Sequence, residues 1–295
     1  MAEEPAIIFI STGTVQIPKQ MMSQPVGDSW AFLRQLRSFR DNEWSEKLPI
    51  GVFVISHPQG PILFDTGEST HFNDPSYHPF WAPTKRVSKV EIRPEESITA
   101  QLWARGIDPC NIQAIVLSHL HGDHAGGLKE LRDQNPDVPV YVSDSHWKAF
   151  GNRPLFATAS GCAPQHWPKD FKPDILQPAA HAIGPWEASY AITSDRTVFA
   201  IDTPGHVPGH VSLVVYGRDP HKGPTTYFLT GDATYSIDTL NAEEPDGITG
   251  DPKTALQSIK KIKEFARTVD LVVLPSHDPN TEKMLKERTL YRPGP

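Results

Sequence analysis

Three histidines and an aspartate lie within six residues in the stretch SHLHGDHAGG, at positions 118–127. His119 and His121 place two imidazoles on one side of an extended loop, and Asp123 and His124 add a carboxylate and a third imidazole from the following turn. Imidazole nitrogens and carboxylate oxygens are common protein ligands of zinc and other divalent transition metals. The glycine pair after this block lets the backbone turn tightly as the next helix begins. The block therefore predicts part of a metal site rather than a loop of solvated histidines.

Three further candidate ligands each follow an apolar run that is typical of a buried strand. They are His206 after TVFAID (197–202), Asp232 after TTYFLTG (225–231) and His277 after DLVVLPS (270–276). The histidine block itself follows another such run, IQAIVLS (112–118). The pockets of α/β proteins lie outside the ends of strands, where ligands that are dispersed in sequence can converge. We therefore expect all of these side chains to share one pocket.

The number of candidate ligands indicates two metal ions. One tetrahedral ion takes four ligands, and as a catalytic centre only three from the protein, so the ligands named above are too many for one. They suit two ions that share a bridging carboxylate, the arrangement that clamps attacking and leaving oxygens during hydrolysis. Nitrogen and oxygen ligands without a thiolate favour two zinc ions, with iron, manganese or cobalt as alternatives.

The composition excludes several other classes of protein. The chain has 295 residues, 38% of them hydrophobic, and a formal net charge of −7, so no global basic surface is expected to bind nucleic acid or anionic lipid. It has neither a signal-peptide pattern at its start nor an apolar run long enough to span a membrane. Only two cysteines occur, Cys110 and Cys162, which does not suggest a disulfide framework. We expect a cytoplasmic monomer or homodimer that acts on a small molecule, without a nucleic-acid or membrane partner.

The order of apolar runs predicts one α/β domain over residues 1–295. A hairpin is predicted at 50–67, a short helix at 144–150, and a helix after Asp251 that buries Ile259, Ile262 and Phe265. The segment before the hairpin, which includes Met21, Met22, Trp30, Phe32 and Leu33, is predicted to be irregular. Residues 151–189 contain six prolines and are either a functional lid or a structural wrap.

SHLHGDHAGG, TPGH, TGD and the late SHD together resemble the motifs of the metallo-β-lactamase superfamily, over positions 65 to 278. This resemblance implies a four-layer αβ/βα sandwich in which two mixed sheets face each other, with helices outside and the metals at one edge. It also implies a division of the ligands: His119, His121 and His206 for the first metal, Asp123, His124 and His277 for the second, and Asp232 between them. Asp65, in LFDTG, either orients a ligand histidine or only forms a turn. His210 is expected to support its loop rather than to bind metal.

The sequence GDATY favours one branch of this superfamily. Tyr235, three residues after the bridging aspartate, is similar to a tyrosine of N-acyl-homoserine-lactone lactonases. The resemblance therefore implies a zinc-dependent hydrolase that opens the ester bond of a lactone by attack of a metal-bridging hydroxide. Tyr235 would donate to the developing oxyanion and Asp123 would carry a proton to the leaving alkoxide. Gly122 departs from this branch, which often has an aromatic residue there. The alternatives are a glyoxalase II-like thioesterase and a non-catalytic scaffold, and the lactone itself, a quorum-quenching substrate or another, stays open.

Overall fold

The computed structural model describes residues 7–27, 30–179, 181–219 and 223–294. Contacts divide the chain into two compact units, each formed by separate stretches of sequence. The first unit combines Ile7–Ile17 with Glu46–Ile175, and the second combines Pro18–Ser45 with the chain from Leu176 onwards. The expectation of a single domain over 1–295 stays a prediction.

Each unit contains one mixed sheet and several helices. The strands are β1 (Ile7–Gln16), β2 (Leu48–Ile55), β3 (Ile62–Phe64), β4 (Lys89–Glu91), β5 (Ala114–Val116), β6 (Val140–Val142), β7 (Asp174–Ile175), β8 (Tyr190–Ala191), β9 (Val198–Asp202), β10 (Val211–Asp219), β11 (Gly223–Leu229) and β12 (Leu271–Leu274). The helices are α1 (Lys19–Met22), α2 (Ala31–Arg40), α3 (Thr84–Val87), α4 (Ile98–Ala104), α5 (Gly122–Ala125), α6 (Leu128–Gln134), α7 (Asp144–Phe150), α8 (Pro154–Ala159), α9 (Ile237–Ala242), α10 (Pro252–Thr268) and α11 (Thr281–Glu287).

The sheet of the first unit has the strand order β4-β1-β2-β3-β5-β6-β7. The predicted hairpin is confirmed as β2 and β3, which pair antiparallel with Phe53 opposite Phe64. β3 and β5 are parallel, with Phe64 opposite Val116, and every residue of both strands is buried. Because the carboxyl ends of parallel strands meet at one edge, Asp65 emerges beside the start of the histidine block.

The sheet of the second unit has the strand order β12-β11-β10-β9-β8. β11 and β12 are parallel, with Leu229 opposite Leu274, so the loops that carry Asp232 and His277 leave the sheet at one edge. The predicted long helix is confirmed as α10. Asp251 caps it by accepting from the Thr254 N–H at 3.0 Å, and its apolar face packs in the core with Phe199 and Phe228.

The chain between β2 and its preceding strand is not irregular as expected, because α2 forms there. An amphipathic pattern predicts a helix when its apolar face is the buried one, whereas α2 buries Arg34 and Ser38. This inversion explains why the sequence pattern gave no helix.

Parts of the 151–189 segment pack as core, as expected of a wrap. Cys162 lies buried in the first unit. Trp186 is buried in the core of the second unit, and its indole N–H donates to the Asp202 carbonyl at 2.8 Å. Within the described residues, no helix combines the length and the apolar character needed to cross a membrane.

Candidate metal centre

The histidine block turns directly out of β5 into the short helix α5. The rings of His119 and His121 lie 4.4 Å apart and almost perpendicular, and those of His119 and His124 lie 4.2 Å apart. His119 and His124 are fully buried. Asp123 keeps 26% of its side chain exposed, and its Oδ1 lies 3.9 Å from Nε2 of His124. The block thus combines buried imidazoles with one carboxylate that solvent can reach.

Asp65 orients this block, so the first of its two sequence interpretations is confirmed. Its Oδ2 receives a hydrogen bond from Nδ1 of His124 at 2.8 Å and another from the Ser118 hydroxyl at 2.9 Å. Its Oδ1 accepts from the Ser118 backbone N–H at 2.7 Å. Burial raises the pKa of Asp65, against the opposing effect of His124. A carboxylate on Nδ1 fixes the tautomer of an imidazole and leaves Nε2 to coordinate a metal.

A second buried carboxyl group, Glu68, explains why residue 122 is a glycine and not an aromatic residue. A Cβ atom on Gly122 would lie 2.7 Å from Oε2 of Glu68, and one on Gly126 would lie 2.6 Å from its Oε1. The Glu68 carboxyl accepts from the Ser69 N–H at 2.8 Å and the Tyr77 hydroxyl at 3.4 Å. Burial raises the pKa of Glu68 to about 8. α5 therefore rests directly on this side chain.

Two further supports of the histidine block were missed by the sequence analysis. The Leu120 N–H donates to Nε2 of the fully buried His146 at 3.0 Å. The Gly122 N–H donates to the Gly161 carbonyl at 3.2 Å, and His121 forms a β-bridge with Cys162. No local pattern marks these partners, because each lies on a different loop from the residue it supports.

In the second unit, Asp232 lies between two histidines. Its Oδ2 is 3.4 Å from Nε2 of His206, and its Oδ1 is 3.2 Å from Nε2 of His277. The Asp232 N–H donates to Nε2 of His210 at 3.0 Å, and Nδ1 of His210 lies 2.9 Å from the Thr203 hydroxyl. Both nitrogens of His210 are thus used by the loop, which confirms its expected supporting role.

His206 is held by a carboxylate that the sequence analysis did not identify. Nδ1 of His206 lies 3.1 Å from Oδ2 of Asp246, and Oδ1 of Asp246 accepts from the Ile248 N–H at 3.0 Å. The buried Arg34 of α2 donates to the Asp246 carbonyl at 3.0 Å and to the Pro245 carbonyl at 3.2 Å. Since Arg34 and Asp246 are far apart in sequence, no motif could have indicated this contact.

Tyr235 packs beside the same two histidines. Its ring lies 5.3 Å from the ring of His277, nearly perpendicular to it, and 6.1 Å from the ring of His206. Only 7% of the residue is exposed. The tyrosine is therefore placed next to candidate ligands, as the spacing of GDATY suggested.

Two groups of side chains offer donor atoms close enough to hold an ion. In each group, one donor atom per residue lies within 4.8 Å of the others: His119, His121, His206 and Asp232 in the first group, and Asp123, His124 and His277 in the second. All these donors are imidazole nitrogens or carboxylate oxygens, a set that suits divalent transition metals. The residues present therefore fit two divalent ions, with Asp232 beside histidines of both groups.

A mixed-sheet α/β protein with histidine and aspartate ligands at its strand ends is of the metallo-β-lactamase type. Residues 48–277 match the family model of the metallo-beta-lactamase superfamily, and the chain belongs to that superfamily. The predicted fold class is thereby confirmed.

Curated relatives include N-acyl homoserine lactonases. AttM of Azorhizobium caulinodans is 29% identical over 247 residues, which cover 83% of this chain and 88% of that protein. An N-acyl homoserine lactonase of a Bacillus species is 31% identical over 242 residues, covering 81% of this chain and 85% of that protein.

Solved structures share the fold. An N-acyl homoserine lactone hydrolase with N-hexanoyl-L-homoserine at its catalytic metal centre superposes with a TM-score of 0.67 at 23% identity, covering 96% of each chain. AidC, a dizinc quorum-quenching lactonase, gives a TM-score of 0.59 at 19% identity, covering 95% of this chain and 89% of that one.

Proposed function

We propose that this protein is a two-metal hydrolase that opens the ester bond of lactones, N-acyl homoserine lactones or close analogues. The observation that carries the proposal is the position of Asp232, whose two carboxylate oxygens each lie beside Nε2 of a different histidine. A carboxylate in that position can bridge two cations, as hydrolysis by paired metals requires. The lactonase names of the relatives support the substrate class and do not favour a thioesterase.

The proposed ligands divide between the two ions as the family resemblance implies. His119, His121 and His206 hold the first ion, whereas Asp123, His124 and His277 hold the second, and Asp232 bridges. Zinc is proposed for both sites because the donors are nitrogen and oxygen atoms of borderline hardness. When bound, the two cations polarise the ester carbonyl and lower the pKa of water toward neutrality.

Residues of the chain then direct the reaction. The Tyr235 hydroxyl donates to the carbonyl oxygen as negative charge develops on it. Asp123, the more exposed carboxylate of the site, passes a proton to the departing ring oxygen, which becomes the alcohol of the opened product. Asp65 and Asp246 keep the imidazoles of His124 and His206 in one tautomer throughout.

The reducing cytoplasm is proposed as the compartment, because Cys110 and Cys162 are both free thiols rather than a disulfide. Cell fractionation with an epitope-tagged chain tests this point. A signal confined to the secreted fraction would contradict it.

A panel of substrates tests the reaction. Purified zinc-loaded protein should hydrolyse N-acyl homoserine lactones of several acyl lengths, and turnover of a matched thioester such as S-lactoylglutathione should be much slower. Asp232→Ala, expected to be the most damaging single ligand change, should abolish both activities. Faster turnover of the thioester would assign the chain to the thioesterase alternative, and inactivity on every ester with both metals bound would reject a hydrolase.

A further inference from the structure

Helix α2 is built inside out. It buries Arg34 and Ser38, whereas Phe32 is 68% exposed and Phe39 is 52% exposed. Trp30, which immediately precedes the helix, is 79% exposed. Large apolar side chains scattered singly on a surface are ordinary, but a helix that presents them along one face while burying its polar face is not.

The orientation of α2 is fixed by its buried polar groups. The Arg34 guanidinium donates to backbone carbonyls at Gln24, Pro25, Pro245 and Asp246. Ser38 and the Gln24 amide bond to each other at 2.9 Å below the helix. Turning the apolar face inward would break all of these bonds within a buried site, so the apolar face is held outward.

Positive charge accompanies this apolar face. Residues 29–40 contain three arginines and no acidic residue, within a chain whose formal net charge is −7. Arg37 and Arg40 are exposed and, with Leu33 and Leu36, line a groove of about 690 Å³. The nearest carboxylate in this groove, Asp41, accepts backbone N–H groups of Gln20 and Glu43, which offset its charge locally.

We propose that α2 docks the protein onto an anionic phospholipid surface. Trp30, Phe32 and Phe39 would enter the interface between headgroups and acyl chains, and Arg37 and Arg40 would meet lipid phosphates, the combination that characterises interfacial helices. This revises the expectation of no membrane partner, which rested on net charge. In physiological salt, charges beyond roughly 8 Å are largely screened, so the local patch decides.

A second copy of the chain is the less suitable occupant of this face. A twofold pairing of α2 with α2 would bring the same patch of each copy together. Arginines would then face arginines, with no acidic residue in 29–40 to pair with them. A lipid surface supplies the missing negative charge.

Vesicle co-sedimentation tests the proposal. The zinc-loaded protein should sediment with phosphatidylcholine vesicles containing 30% phosphatidylglycerol, and at least about tenfold more weakly with pure phosphatidylcholine or in 0.5 M salt. F32S/F39S and R37Q/R40Q should each weaken binding about tenfold or more. The matched control W103S/L155S removes two exposed apolar residues elsewhere and should bind as the parent does.

Two further measurements separate docking from misfolding and from self-association. Melting temperature and aryl-ester turnover should be equal in all variants, because the substituted residues are exposed and outside the metal centre. Equal vesicle binding by F32S/F39S and its control would overturn the proposal. So would the absence of binding together with a dimer in light scattering that F32S/F39S dissociates, since that result assigns the face to a second copy.

Discussion

Two histidines of the metal centre, His124 and His206, share one local design. Each is oriented through Nδ1 by a buried carboxylate, Asp65 at 2.8 Å or Asp246 at 3.1 Å. The carboxylate of Asp65 follows a motif and was considered from the sequence, whereas Asp246 was not. Side chains that touch the metal are recognisable from residue type and spacing, but the groups that hold them are recognisable only once distant segments are in place.

Asp246→Asn tests this supporting role. The amide keeps the size of the side chain but loses the charge that favours the donating Nδ1 tautomer of His206. We expect metal affinity to fall on the order of 10- to 100-fold in one of the two sites. Competition with a fluorescent zinc chelator measures it, with Asp202→Asn as the control on an exposed aspartate. Equal affinities in the two variants would show that Asp246 only stabilises the turn.

Tyr235→Phe tests the proposed oxyanion donor. The ring would still pack against His277, so metal content and melting temperature should hardly change. A single lost donor typically costs ~10²–10³ in turnover, and sharing of the oxyanion with a metal should reduce this to about 10- to 100-fold. The loss should fall on kcat for lactones, as for an interaction made in the transition state. An unchanged kcat with both metals bound would leave Tyr235 a packing residue.

At the scale of elements, the strands and α10 could be predicted because their buried faces have a simple period. β3 and β5 are short and wholly buried, and α10 buries one apolar stripe. α2 could not be predicted by the same logic, since its inward face is polar and depends on carbonyls contributed by residues 245–246. The supports of α5 were hidden for the same reason, because Glu68 and His146 act from other loops.

Gly126→Ala tests the close packing of α5. A Cβ atom at this position would lie 2.5 Å from the Gly122 carbonyl oxygen and 2.6 Å from the Ser69 nitrogen, where the backbone cannot yield cheaply. We expect a loss of about 1–3 kcal/mol in the free energy of unfolding, as for an overpacked core. Urea unfolding measures it, and Gly250→Ala is the control, since nothing lies within 4 Å of its added methyl group. Equal stabilities would mean that α5 can shift away from Glu68.

For the whole molecule, the metal ions should contribute to stability as well as to activity. Protein purified without chelator should contain close to two equivalents of metal per chain by elemental analysis. Each site held at about 100 times its Kd adds about 2.7 kcal/mol to the native state, so removal by chelator should lower the melting temperature by several degrees. Added zinc should restore both the melting temperature and the activity. One equivalent at full activity would contradict the two-metal proposal.

The alternation of the two units along the chain has a consequence for biosynthesis. The first unit is complete once Ile175 has been translated, but Pro18–Ser45 belongs with sequence from Leu176 onwards. While the chain emerges from the ribosome, Arg34 therefore lacks the Pro245 and Asp246 carbonyls that later accept its hydrogen bonds. During that interval the segment exposes an arginine-rich apolar stretch that cannot yet adopt its final place, so we expect chaperones to bind there before the last strand is made.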